Sequence, residues 1–327
     1  MARALALGGM MLAHYAGATR RSDPGWLQAL DNAADGRAAP VFATLLGVGA
    51  GILAAKRVAN RVFVARGVAL LALGALIWPY TDRVYLILPH YGLLLAAVVL
   101  LRRLDTRALL PLAAVAFLIP SVVAATGDAH GLRSALQPDS YDEVLDIGPT
   151  VWNLVWTGGY PLVGWIGFVL IGLWLSRQRL GDAALQWRLL VVGAAVAATQ
   201  PVLASIDASW AADFLDSSAH SNRTAWYVLS AASAVAVIAG CLLVAGVGRR
   251  LQQPLVHLGQ LALSAYLLHL VVGGVLVWDW VDRSQPSLAA QVAATAAVFV
   301  ALAALATAWR ARFQRGPVEA LLRAVSG

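Results

Sequence analysis

Residues 3–14 read RALALGGMMLAH, ten uncharged residues enclosed by an arginine and a histidine. On an α-helix, eleven steps of about 100° bring Arg3 and His14 to within roughly 20° of one face, about 16 Å apart along the axis. The apolar run between them has the character of a membrane helix. One face of that helix therefore carries a cation at one boundary and an imidazole roughly halfway through the bilayer. An ionisable group at that depth is costly, and its default reading is functional.

The rest of the chain agrees with a membrane setting. Hydrophobic residues make up 60% of its 327 residues and charged residues 13%, against about 25% charge in a soluble domain. The expected fold is an all-α, polytopic integral membrane helix bundle of about ten transmembrane helices. Apolar runs place the spans near 2–18, 39–55, 67–81, 84–101, 108–126, 158–176, 189–206, 225–247, 255–278 and 286–308. Residues 1–309 then form one membrane domain and 310–327 a basic cytoplasmic tail. Arg3, the apolar run and AGA at 16–18 have the outline of a signal peptide; we read them as a retained first span.

Charge orients this layout. With both termini in the cytoplasm, the inner segments hold 17 of the 24 basic residues, and of the 17 acids only Asp105, Asp182 and Glu319. That is the positive-inside pattern. The strongly basic balance thus reflects topology and gives no reason to expect nucleic acid as a partner. Lys56 is the one lysine among the basic residues, a bias that points to a GC-rich genome and to a bacterial plasma membrane. Cys241 is the single cysteine, which rules out an intramolecular disulfide. Tryptophans such as Trp26, Trp78, Trp226 and Trp278 fall near the outer interface and read as an aromatic belt.

Two outer segments are long for connectors. Residues 19–38 join the first two spans. Residues 127–157 are acidic and end in PTVWNLVWTGG, whose aromatic spacing fits a short interfacial helix. Short basic loops inside and long loops outside fit an anionic cytosolic donor and a polar extracytoplasmic acceptor.

Several stretches together resemble one family. Arg3-x10-His14 resembles the first-span signature of the transmembrane acyltransferase superfamily. That superfamily includes the acyltransferase-3 group, the heparan-α-glucosaminide N-acetyltransferases and the YeiB-like membrane proteins. DGRAAPVFATLLGVGAG at 35–51, GGYPLVGWIGFVLIGLWLSR at 158–177, HLGQLALSAYLLHL at 257–270 and FQRGPVEALLR at 313–323 resemble the YeiB-like branch, in order along the chain. Gln260 stands where that branch usually has arginine, and Val318 and Ala320 where leucine and tryptophan are usual. The resemblance implies transfer of an acyl group, acetyl in the first instance, from cytoplasmic acyl-CoA to an extracytoplasmic sugar or glycolipid.

Such chemistry asks for a base, for oxyanion donors and for cations that hold the CoA phosphates. His14, His269 and His90 are the candidate bases. Asp35, which opens the second span, is a base-orienting candidate. Tyr266 and His269 lie one turn apart and can face one cavity. His90 follows Pro89, a break expected to free backbone carbonyls within the fourth span. Arg3, with Arg57, Arg61 and Arg66 of KRVANRVFVAR, are the candidate phosphate ligands. Arg37, Tyr160, His220 and Tyr266 are candidates for holding the acceptor. Gly47, Gly49 and Gly51 read as close helix packing. Glu319 and Arg323 have the spacing of a helical ion pair. No histidine spacing fits a metal site, and no metal is expected. The alternative function is a transporter of a small anion or lipid, with the same residues lining a path; a third possibility is a non-catalytic membrane partner, including a homo-oligomer.

Overall fold

The structure is a computed structural model, and it describes residues 1–16, 24–34, 36–81, 84, 86–129, 153–206 and 211–327. Among these residues there are helices and turns and no strand. The helices are α1 (Ala2–Tyr15), α2 (Gly25–Ala34), α3 (Ala38–Ala55), α4 (Asn60–Ile77), α5 (Leu88–Leu101), α6 (Thr106–Ala129) and α7 (Leu162–Ser176). They continue as α8 (Ala183–Ala197), α9 (Thr224–Val244), α10 (Arg249–Gln260), α11 (Ala262–Val272), α12 (Trp278–Ser284), α13 (Leu288–Arg310) and α14 (Pro317–Ser326). Seven helical stretches are long and apolar enough to cross a membrane, and α5 and α7 are shorter apolar helices. With α1 they correspond one for one to the ten expected spans. The protein is a polytopic helical membrane protein.

Its packing follows from small residues at helix crossings. A Cβ built on Gly172 of α7 would lie 2.0 Å from the Thr44 carbonyl oxygen of α3, and one on Gly47 2.2 Å from that of Val169. Gly67 of α4 and Gly92 of α5 meet in the same way, each built Cβ 2.6 Å from the other's carbonyl oxygen. Without a solvent drive between helices in lipid, such close backbone approach is what holds a bundle. Trp165, Trp226, Tyr227 and Phe168 fill the middle of the bundle and are fully buried. Leu76, Leu100 and Val300 remain largely uncovered, as side chains facing lipid would be.

Three expectations need correction. The ninth span is not one helix over 255–278. The chain breaks at Leu261 (φ −106°, ψ 24°), and the residues before it form α10, whose sequence RRLQQPLVHLGQ has one polar and one apolar face. Pro89 does not interrupt a helix; it starts one, because α5 begins at Leu88, and the missing N–H of a first-turn proline costs nothing. The connector 19–38 is as expected a link between the first two spans, and its described part includes α2. Finally, α1 ends at Tyr15, so His14 sits in its last turn. Of the expected interfacial helix before the sixth span, the described part is a single π-type turn, Asn153–Thr157.

Candidate functional site

Two histidines from distant parts of the chain meet where α1 ends. His14 Nδ1 and His269 Nε2 are 2.9 Å apart. The ring centroids are 5.2 Å apart and the planes 11° from parallel. The rings therefore lie edge to edge in nearly one plane, joined by an in-line N–H···N bond. One nitrogen must donate and the other accept, so the pair shares a single proton along that line. His269 is fully buried, while His14 is half-buried. His14 Nε2 is the ring nitrogen with no hydrogen-bond partner among the described residues, and it can act on a third group.

The backbone around the pair is cross-braced. Trp278 donates its indole N–H to the His14 carbonyl at 2.9 Å, satisfying one of the orphan acceptors at the end of α1. Tyr15 donates its hydroxyl to the His269 carbonyl. Between His269 and Trp278 the helix carries a π-type turn, Gly273–Val277. The wider turn resets the register, so that His269 and Trp278 both reach α1. Gly273 is required there: a Cβ on it would come within 2.7 Å of the Tyr15 ring.

Beside α1 lies a cavity of about 420 Å³, whose lining includes neither histidine. Arg3, Arg66, Arg315 and Arg323 line one part of it, with Gln260 and Glu319; Met10, Tyr91 and Tyr266 line another. Tyr266 links the cavity to the histidines, its ring centroid 5.1 Å from that of His269. The cavity therefore runs from a cluster of guanidinium groups to a tyrosine that touches the imidazole pair.

Glu319 closes this region from the C-terminal helix. Its Oε1 accepts the backbone N–H groups of Leu263 (2.9 Å) and Ser264 (3.1 Å), and the Ser264 hydroxyl donates to Oε2. A carboxylate at a helix N-terminus satisfies orphan donors and complements the helix dipole. The break at Leu261 creates that N-terminus. Glu319 is thus a cap for α11, and the expected Glu319–Arg323 pair does not form. Gly316 makes room for it, since a Cβ there would lie 2.1 Å from Glu319 Oε2.

The remaining candidates separate into groups. Arg57 and Arg61 are exposed and do not line the cavity, whereas Arg66 does. Arg57 precedes α4 in a turn with φ 56°, and five residues of helix put Arg61 and Arg66 on different faces. Arg66 also donates to the Ser326 hydroxyl at 3.1 Å. Arg37 is buried and donates to Ser233 (3.1 Å) and Gln200 (2.6 Å), tying the start of α3 to α9 and to the short helix Gln200–Ala204. His90, Tyr160 and His220 form a second aromatic group: Tyr160 lies 5.3 Å from His90, 6.0 Å from His220 and 4.8 Å from Trp165, centroid to centroid. Asp35 lies outside the described residues. Tyr15, Trp278, Arg315 and the capping role of Glu319 escaped the sequence reading. Trp278 looked like one more interfacial tryptophan, and nothing local marks its reach to α1. No group of three or more His, Cys, Asp or Glu residues converges as a metal site among the described residues.

Comparison with curated proteins and with solved structures gives no match. Residues 161–327 match a family described as "Protein of unknown function (DUF418)". The matched region carries Tyr266, His269, Trp278 and Glu319, and α1 lies before it. The chain belongs to this family, DUF418.

Proposed function

We propose that the protein is a membrane acyltransferase. It takes an acyl group, acetyl in the simplest case, from a CoA thioester held at the arginine-rich end and passes it to a hydroxyl or amine of a sugar or glycolipid on the other side. The observation that carries this reading is the cavity joining Arg3, Arg66, Arg315 and Arg323 to Tyr266, whose ring packs against His269 of the histidine pair. A run of guanidinium groups suits phosphates, which they bind through charge-assisted hydrogen bonds. The positive-inside asymmetry puts that end in the cytoplasm, where acyl-CoA is found. Arg3 and His14 are about 16 Å apart along one helix, a length an extended pantetheine arm spans.

The histidines suit the proton work. His14 Nε2 takes the proton of the acceptor as its oxygen or nitrogen attacks the thioester carbon. The new imidazolium keeps its Nδ1–H on His269 Nε2, which orients it as the third member of a triad orients its base. Collapse of the intermediate expels the CoA thiolate, and His14 returns the proton to it. His14 is then the base and His269 the positioning residue.

The test is purified protein in lipid nanodiscs with labelled acetyl-CoA. Saturable binding, and thioester consumption on addition of glycolipid acceptors, is the expected result. If acetyl-CoA does not bind, the transferase reading falls and transport of a small anion replaces it.

A further inference from the structure

Two tyrosines line the cavity, and they are used differently. Tyr91 donates its hydroxyl to the Ala39 carbonyl at 2.9 Å. Tyr266 is only 4% exposed, yet its hydroxyl proton finds no acceptor among the described residues. A buried hydroxyl without a partner costs about 1–3 kcal/mol, and a ligand oxygen that reached it past the cavity-lining Tyr266 ring would remove that cost. Its neighbour on the same helix face is His269, three residues on, and beyond His269 lies His14. The cavity's remaining polar lining is cationic or amide, apart from Glu319, whose oxygens are taken up by α11.

We infer that the Tyr266 hydroxyl is the oxyanion donor of the acyl transfer. This rests on the transferase reading above. As the acceptor oxygen bonds to the thioester carbon and its proton passes to His14 Nε2, the carbonyl π pair moves onto the carbonyl oxygen. That oxyanion accepts the Tyr266 O–H as a hydrogen bond, with the proton staying on the phenol. The pair then returns to re-form C=O, the C–S bond breaks, and the thiolate receives the proton held by His14. Tyr266 gains and loses nothing over the cycle. It is a preorganised dipole in a dry site, where such a donor is worth most. An oxyanion donor and a base must both reach the reacting atoms, and Tyr266 packs against His269, which in turn bonds His14.

Tyr266→Phe tests this, because it removes a hydroxyl whose proton has no acceptor among the described residues. The thermal midpoint should hold or rise. Acetyl-CoA carrying a ¹³C=O thioester is bound to the wild type, to Tyr266→Phe and to His14→Ala, and its carbonyl infrared band is recorded. The expected result is a band shifted to lower wavenumber in the wild type and in His14→Ala, and unshifted in Tyr266→Phe. Thioester turnover by Tyr266→Phe should fall about 10²–10³-fold at nearly unchanged KM for acetyl-CoA. An identical band in wild type and Tyr266→Phe would overturn the Tyr266 assignment and leave the transferase reading standing. Failure of the wild type to bind acetyl-CoA would remove both.

Discussion

His14 and His269 stand 255 residues apart in the chain and share one hydrogen-bonded proton, Nδ1 to Nε2 at 2.9 Å. If they act as a unit, their substitutions are not additive. His14→Ala should lower kcat about 10²–10⁴-fold with acyl-CoA binding nearly intact. His269→Ala should produce a smaller fall, and the double variant should be no worse than His14→Ala. Independent, multiplying effects in turnover assays would mean the pair is packing and not a dyad.

The arginines should divide by position. Arg3→Ala and Arg66→Ala each remove a charge-assisted contact made before and during reaction, so KM for acyl-CoA should rise about 10–100-fold with little change in kcat. Arg57→Ala and Arg61→Ala should leave KM unchanged, because neither lines the cavity. Isothermal titration with acetyl-CoA reads all four. A loss of affinity at Arg57 or Arg61 equal to that at Arg3 would move the phosphate site out of the cavity.

Gly172→Ala should destabilise the bundle by about 1–3 kcal/mol, since overpacking at a backbone crossing forces helices apart. Its built Cβ meets the Thr44 carbonyl oxygen at 2.0 Å. Gly181→Ala, with nothing within 4 Å, is the control and should leave the thermal midpoint alone. Equal midpoints for the two would show that α3 and α7 have slack.

Glu319→Ala should cost about 0.5–2 kcal/mol, as lost helix caps do, and should loosen α14. Trypsin should then cut faster at Arg315 and Arg323. Glu319→Gln keeps acceptors for two of the three contacts and should fall between. Unaltered cleavage in the alanine variant would mean that Arg66–Ser326 and apolar contacts hold the tail unaided.

Hydropathy and spacing made the architecture legible, because lipid allows few alternatives to helices. The Arg3–His14 spacing and the one-turn step from Tyr266 to His269 were also readable, being helix geometry within a single element. What stayed hidden is non-local or breaks the helical rule. Comparable depth in the bilayer made a meeting of His14 and His269 readable, but their direct bond depends on how the first and ninth spans pack. The π-type turn after Val272 and the break at Leu261 carry no proline, and Glu319 faces a helix N-terminus that exists only because of that break. Arg57 and Arg61 share a basic run with Arg66, but charge clustering says nothing about which face of α4 each occupies.

The 255 residues between the two histidines also set an order of events in biosynthesis. His14 is made first, and its partner follows at a synthesis rate of about 5–20 residues per second, some 13–50 s later. Trp278, which fixes the His14 carbonyl, comes later still. A ribosome stalled anywhere before the ninth span leaves a chain with its cation and imidazole in place and no dyad. On the acyl-transfer reading, products that stop before His269 are therefore inert toward the proton step.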